Sequence, residues 1–149
     1  MEKPGVPPPA LLIGAALTQL ALGRRKRPRR RLLRRVLGGG AALAGGALFV
    51  GGVGQLFLRG TTVDPRAPEE SSELVTDGLY RVSRNPVYLG DVLLLLGLAI
   101  GQGKLVSFLP VAAFAALIDR RQIPAEEAAL RARFGSEFER YAESVPRWV

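Results

Sequence analysis

Residues 85–118 read NPVYLGDVLLLLGLAIGQGKLVSFLPVAAFAALI, and this stretch decides the fold. Tyr88 to Ile100 and Leu105 to Ile118 are apolar runs separated by Gly101-Gln102-Gly103-Lys104, a turn signal. Two such runs around one tight turn predict a helical hairpin. Asn85-Pro86 starts it well: Asn caps a helix, and Pro fits the first turn, where its missing N–H does no harm. Asp91 lies within the first arm. A carboxylate in an apolar helix costs about 2.5–3.5 kcal/mol at a membrane centre on insertion scales, and less near the helix end, so Asp91 calls for a role.

Two more apolar blocks precede the hairpin. Val36 to Leu58 exceeds the roughly 20 residues that a helix needs to cross a bilayer. Ala10 to Leu22 is shorter and follows Pro7-Pro8-Pro9; the prolines and the lack of a basic leader argue against a secretory signal. The chain is 48% hydrophobic yet has a net charge of +8 over 149 residues. Both hold because apolar residues sit in blocks and most charges sit between them. The expected fold is all-α: one domain, an integral membrane helical bundle of about four apolar segments (10–22, 36–58, 86–101 and 105–119). An arginine-rich loop spans 24–35, a polar loop 59–85, and a C-terminal helical tail 120–149. The glycines from Gly38 to Gly54 suit close helix packing, although a bias toward Ala, Gly and Arg accounts for them equally well.

In the tail, Leu130, Phe134, Phe138, Tyr141 and Val145 share one helix face. Gly135-Ser136 with Glu139 predicts a helix break and a new capping box. The tail is expected to lie on the membrane surface or to fold back over the polar loop.

The chain has no Cys and no His. Ser-His and Cys-His hydrolases are excluded, and the usual zinc ligands are missing, so no metal site is expected. The run Arg24-Arg25-Lys26-Arg27-Pro28-Arg29-Arg30-Arg31, with Arg34 and Arg35, lacks the interleaved aromatics of a nucleic-acid surface. It reads instead as a loop drawn to anionic lipid headgroups. By the positive-inside rule this loop is cytoplasmic. If Val36–Leu58 then crosses once, the polar loop and the tail lie outside, out of reach of an intracellular cofactor. The alternatives are an arginine loop on the outer face, or a second block that makes no simple crossing.

Polar residues gather around the hairpin. Arg81 and Arg84 sit just before it, Tyr88 and Asp91 lie three residues apart on one helix face, and Glu126-Glu127 follow it. Taken singly, Asn85 caps, Tyr88 anchors at the interface and the arginines snorkel. Pro124 would open a helix with both Glu residues in its first turn, favoured by the dipole, and Glu127 within reach of Arg131. Their concentration in one place is what favours a functional site.

These residues carry a resemblance. Leu74-Val75-Thr76-Asp77-Gly78-Leu79-Tyr80-Arg81, Arg84-Asn85-Pro86-Val87-Tyr88-Leu89-Gly90, Glu126-Glu127, Phe134-Gly135-Ser136-Glu137-Phe138, Tyr141 and Val145-Pro146-Arg147-Trp148 resemble the isoprenylcysteine carboxyl methyltransferase family in its short bacterial form. The related membrane phospholipid N-methyltransferases share much of this pattern. The similarity runs from about Thr61 to Trp148.

The resemblance implies an integral membrane enzyme using S-adenosylmethionine, placed in the bacterial inner membrane with its site facing the cytoplasm. It implies a cofactor pocket from Arg84, Asn85, Pro86, Tyr88, Gly90, Glu126 and Glu127; Tyr80 and Arg81 beside the motif are expected to join that pocket, and Arg84, Tyr88 and Asp91 to stand at the chemistry. Asn85 stands where the family motif has His, which removes any His-dependent acid–base step. A lipophilic carboxylate acceptor needs no base and is favoured; it would reach the site through the hairpin. Phospholipid N-methylation would require Asp91 or a Glu as base. A non-catalytic membrane protein holding anionic lipid at 24–35 is the alternative of another class.

Overall fold

The computed structural model describes residues 6–23, 31–62, 64 and 68–149, and among these every regular element is helical. In chain order the α-helices are α1 (Pro8–Gly23), α2 (Arg31–Leu58), α3 (Pro86–Gln102), α4 (Leu109–Leu117), α5 (Ile123–Phe134) and α6 (Ser136–Ser144). Positions 24–30 of the arginine loop lie outside the described residues.

α2 and α3 form the central pair, and their glycines set its spacing. A Cβ on Gly97 would sit 2.5 Å from the Gly38 carbonyl oxygen, and one on Gly45 would sit 2.6 Å from that of Gly90. Further along, Gly52 faces Val87. Small residues at these heptad-spaced positions let the two backbones touch. Gly39, Gly40, Gly46 and Gly54 meet nothing within 4 Å, so only part of the glycine content is explained by packing. Gly97→Ala is accordingly expected to cost about 1–3 kcal/mol of overpacking strain. Gly40→Ala should be neutral or slightly stabilising, since Ala is the better helix former. Reversible unfolding in detergent measures the difference, and equal stability of the two variants would refute the packing role.

Leu32–Leu58 is long and apolar enough to cross a membrane, and only 17% of its most apolar window is buried. Leu32, Leu43 and Phe57 are each more than three-quarters exposed. That outward apolar face needs an apolar surrounding, unlike the core helix of a water-soluble domain. The four-segment expectation is met only in part. α1 has 16 residues and α3 has 17, about 24–26 Å of helix against a hydrocarbon core of about 30 Å. Among the described residues, α2 alone meets the length and hydropathy of a full crossing.

α1 packs on α3 and α4. Its Gln19 is fully buried and donates to the carbonyls of Leu95 at 3.0 Å and Ser107 at 2.9 Å, tying three segments together. Lys104 donates to the carbonyls of Leu22 and Gly23, closing the α1 C-terminus. The hairpin turn forms at the expected place, with Gly103 in the left-handed region at φ 65°.

The second arm departs from expectation. It does not stop at 119 but continues through a π-helical turn, Ile118–Gln122, into α5. Pro124 is the cause: it has no N–H and its ring crowds the carbonyl of the preceding turn. The chain widens instead, and the Ile123 N–H bonds back to the Ile118 oxygen, a bulge that re-aims the following turn. Glu126 and Glu127 are thus carried within a continuing helix, not at a free helix start.

The tail folds back over the polar loop. Phe138, Tyr141 and Val145 pack with Leu74, Val75 and Tyr80, flanked by Leu130 and Phe134. The break at Gly135 is present (φ 52°), but the capping box is not: Gly135 holds the cap position, and the Glu139 carboxylate bonds Arg131 at 2.5 Å. That pairing also replaces the expected Glu127–Arg131 pair. The polar loop is anchored at Arg59, which pairs with Glu73 at 2.8 Å and with Asp77.

Candidate functional site

At the end of the bundle where α2 finishes and α3 begins lies a cavity of about 280 Å³. Tyr80, Arg84, Asn85, Pro86, Tyr88, Asp91, Glu126 and Glu127 all line it. Two of the expected site residues do not. Arg81 is exposed, on the outside of the short turn Gly78–Arg81. Gly90 faces α2, where a Cβ would lie 2.7 Å from the Gly45 oxygen; its role is to let the helices close.

Tyr88 and Glu126, 38 residues apart, meet directly. The Tyr88 hydroxyl donates to Glu126 Oε1 at 2.5 Å, and Gln122 Nε2 donates to the same oxygen at 2.7 Å. The π-helical turn places Gln122 one turn ahead of Glu126 for this bond. Burial pushes the Glu126 carboxyl up to about 7; the two hydrogen bonds oppose that rise and the neighbouring Glu127 adds to it. Tyr80 and Tyr141 are both held in their neutral form by burial, and the Tyr141 hydroxyl donates to the Tyr80 carbonyl at 2.7 Å.

Glu127 does something different. Arg84 approaches it at 3.2 Å and Arg147 at 2.8 Å. Its side chain is only 12% exposed and that of Arg84 only 14%. Arg147 extends the network to Asp119 at 3.4 Å, where the Trp148 indole also donates at 2.9 Å. The backbone joins in: the Arg84 N–H bonds the Pro146 carbonyl at 3.0 Å, while Asn85 Nδ2 and Ser83 Oγ both donate to the Arg147 carbonyl. The expected side-chain cap by Asn85 is therefore absent. Its amide reaches sideways to hold the C-terminal segment 145–148 against the start of α3, a strap that backs Arg84 and Glu127 from outside the cavity lining.

Asp91 is 4% exposed, and among the described residues its Oδ1 has no hydrogen-bond partner; Arg84 Nε is likewise buried and without a partner among them. Both belong to residues that line the cavity. Sequence reading assigned no role to Gln122, Arg147 or Trp148, and gave Tyr141 only a place on the apolar face of the tail. The residues Tyr141 and Arg147-Trp148 lay within the resemblance, but nothing local in the sequence ties a C-terminal Arg to a Glu twenty positions earlier. The remaining walls come from Pro8, Pro9 and Leu12 of α1 and from Phe49, Val53 and Leu56 of α2. No α4 residue lines the cavity; of the hairpin only the first arm does, through Pro86, Val87, Tyr88 and Asp91.

Comparison with known proteins follows the same residues. The phospholipid methyltransferase family pattern matches residues 33–137. A probable protein-S-isoprenylcysteine O-methyltransferase of Oryza sativa subsp. indica is 38% identical over 80 residues, 52% of this chain and 40% of that protein. The protein-S-isoprenylcysteine O-methyltransferase of Schizosaccharomyces pombe is 37% identical over 76 residues, 51% of this chain and 32% of the relative. An uncharacterized protein of Haemophilus influenzae is 36% identical over 63 residues, 42% of this chain and its own full length. The match thus spans well under half the length of the plant and yeast relatives. No solved structure matches. The family pattern takes in α2, α3, the hairpin and the Glu pair, and on this ground the chain belongs to the phospholipid methyltransferase family.

Proposed function

We propose that this chain is an integral membrane enzyme that transfers a methyl group from S-adenosylmethionine to a lipophilic acceptor. The observation that carries the reading is the convergence of Tyr88, Asp91, Glu126 and the Arg84–Glu127 pair on one cavity at the end of an apolar bundle, with Arg147 bracing Glu127 from behind. S-adenosylmethionine has one net positive charge, and the described lining fits it: Asp91 and Glu126 face the cavity without an ion pair among the described residues, and Arg84 there is paired with Glu127. When bound, the cofactor supplies an electrophilic methyl group on a sulfonium. The protein's task is then to orient donor and acceptor, which can contribute about 7–11 kcal/mol.

Tyr88 and Gln122 fix Oε1 of Glu126, and we assign Oε2 to the cofactor's ribose hydroxyls or ammonium. Arg84 Nε is assigned to its carboxylate. The acceptor approaches between α1 and α2, past Leu12 and Phe49.

A carboxylate acceptor was the expectation, but one observation favours an amine. Among the described lining residues Arg84 is the one arginine and is committed to Glu127, whereas Asp91 and Glu126 form no ion pair. An acidic acceptor would meet these two buried carboxylates. An ammonium would be attracted, and Asp91 Oδ1 is the acceptor for the proton that must leave before the nitrogen lone pair can attack.

The cavity and Arg34 lie at opposite ends of the bundle, since Arg34 lies against the Gly103 turn. Nine Lys and Arg residues fall at 24–35, and nine described arginines lie between Arg59 and Arg147, so the positive-inside bias does not choose an orientation. Cofactor supply chooses it: the cavity faces the cytoplasm, in the bacterial inner membrane, and the arginine end meets anionic headgroups on the other side.

The test is titration of purified protein with S-adenosylmethionine, followed by analysis of lipids labelled from its methyl group. Saturable binding is expected, weakened in Tyr88→Phe. Base-stable N-methyl products, lost in Asp91→Asn with cofactor binding retained, are expected for an amine. Base-labile esters would overturn the amine assignment; absence of saturable binding in folded protein would overturn methyl transfer itself.

A further inference from the structure

α1 and α2 both pack on α3 but leave a groove between them, which meets the candidate-site cavity at Leu12 and runs from there toward the other end of the bundle. It has a volume of about 1090 Å³. Ile13 and Leu20 of α1 form one wall, Gly39 and Ala42 of α2 the other, and Leu94 and Leu98 of α3 the floor. Along α1 the groove runs from Leu12 to Gly23, about 16 Å of helix. That is about half of a 30 Å hydrocarbon core, the depth of one leaflet.

The groove changes character at one end, where Arg34 and Arg35 join its lining. They belong to the run with nine Lys and Arg at 24–35, and the sequence has no acid between Glu2 and Asp64. An apolar trough one leaflet deep, ending in a pair of arginines within a cationic run, has the shape and charge of a lipid site.

We propose that this groove binds one anionic phospholipid, with an acyl chain along Gly39 and Ala42 and the phosphate at Arg34 and Arg35. Charge decides against a second copy of the chain as occupant. A copy in the same membrane orientation would bring its own basic residues against these, whereas an anionic headgroup offsets them. The proposal needs only that α2 lie in a membrane; it holds or fails independently of methyl transfer.

The test uses the full chain in detergent, with phosphatidylglycerol or phosphatidylcholine added and retained lipid counted by native mass spectrometry. One phosphatidylglycerol per chain is expected, preferred about tenfold or more over phosphatidylcholine. Arg34→Gln with Arg35→Gln should remove that preference. Gly39→Phe should lower retention about tenfold by filling the groove, where a Cβ at 39 meets nothing within 4 Å. S-adenosylmethionine binding or an unchanged unfolding transition reports that each variant is folded. Equal retention of the two lipids would overturn the proposal. So would full retention in Gly39→Phe, which would mean headgroup attraction to the surface run alone, or a dimer that Gly39→Phe dissolves.

Discussion

Glu126→Gln is expected to weaken S-adenosylmethionine binding about 100-fold, the size expected when one partner of a buried, hydrogen-bonded charge pair is removed. The substitution keeps the shape of the side chain, and its amide oxygen still accepts from Tyr88 and Gln122. What it deletes is the negative charge proposed to meet the cofactor. The pH dependence gives a second readout. The carboxyl of Glu126 is raised to about 7 by burial, so the free protein carries it protonated at pH 6 and ionised at pH 8. A cationic ligand prefers the ionised form, and affinity should rise with pH through about 7 and then level off. In Glu126→Gln that rise should vanish.

The sign for stability is opposite. A carboxyl whose folded-state pKa is raised binds its proton more tightly when folded, so it favours the fold at low pH. That contribution is full below the unfolded value and is lost as pH rises through about 7. The ligand-free protein should therefore unfold at lower temperature at pH 8 than at pH 5.5, and Glu126→Gln should reduce the difference. Isothermal titration and thermal scans across pH 5.5–8.5 measure both effects. A wild-type affinity flat with pH, or a Gln variant within a few-fold of wild type, would sink the assignment.

Much of this arrangement was legible in the sequence because it is local. The turn at Gly103 and the start of α3 follow from residue types at fixed positions, and the apolar stripe of the tail follows from helical spacing. The gathering of Tyr88, Asp91 and the Glu pair was legible at the level of neighbourhood. Which Glu does what was not. A helix start at Pro124 made the pair look equivalent, both acids sharing one first turn. The π-helical turn forced by that same proline carries the helix onward, so that Glu126 is aimed at Tyr88 and Glu127 at two arginines. Partner choice across 20 to 43 residues depends on where α5 docks, and the periodicity of the chain does not encode it. Gly90 misled for a related reason: in a motif full of polar residues a glycine reads as part of the pocket, while its backbone contact with Gly45 lies on the other side of the helix.

The strap makes Glu127 the residue whose loss the structure should tolerate least. Glu127→Ala would leave Arg84 and Arg147 without their shared carboxylate, and Arg84 is nearly buried. Breaking a buried pair by removing one partner costs about 3–5 kcal/mol, because an uncompensated charge stays in place. The exposed pair Arg131–Glu139, each side chain 48% exposed, should be worth about 0–1 kcal/mol. Arg131→Ala is thus the internal control, and unfolding in detergent should separate the two variants widely. The damage should also have a direction. Arg147 is carried by the segment whose carbonyls hold Arg84 and Asn85, so the C-terminal residues should become open to carboxypeptidase in Glu127→Ala before the rest of the chain unfolds. A double-mutant cycle with Arg147→Ala should give a coupling of at least 1 kcal/mol, as for other contacting charge pairs. If Glu127→Ala unfolds like Arg131→Ala and its C-terminus stays protected, Glu127 does not hold the strap. Its carboxylate would then be free to contact ligand, and the division of labour between the two glutamates would have to be reversed.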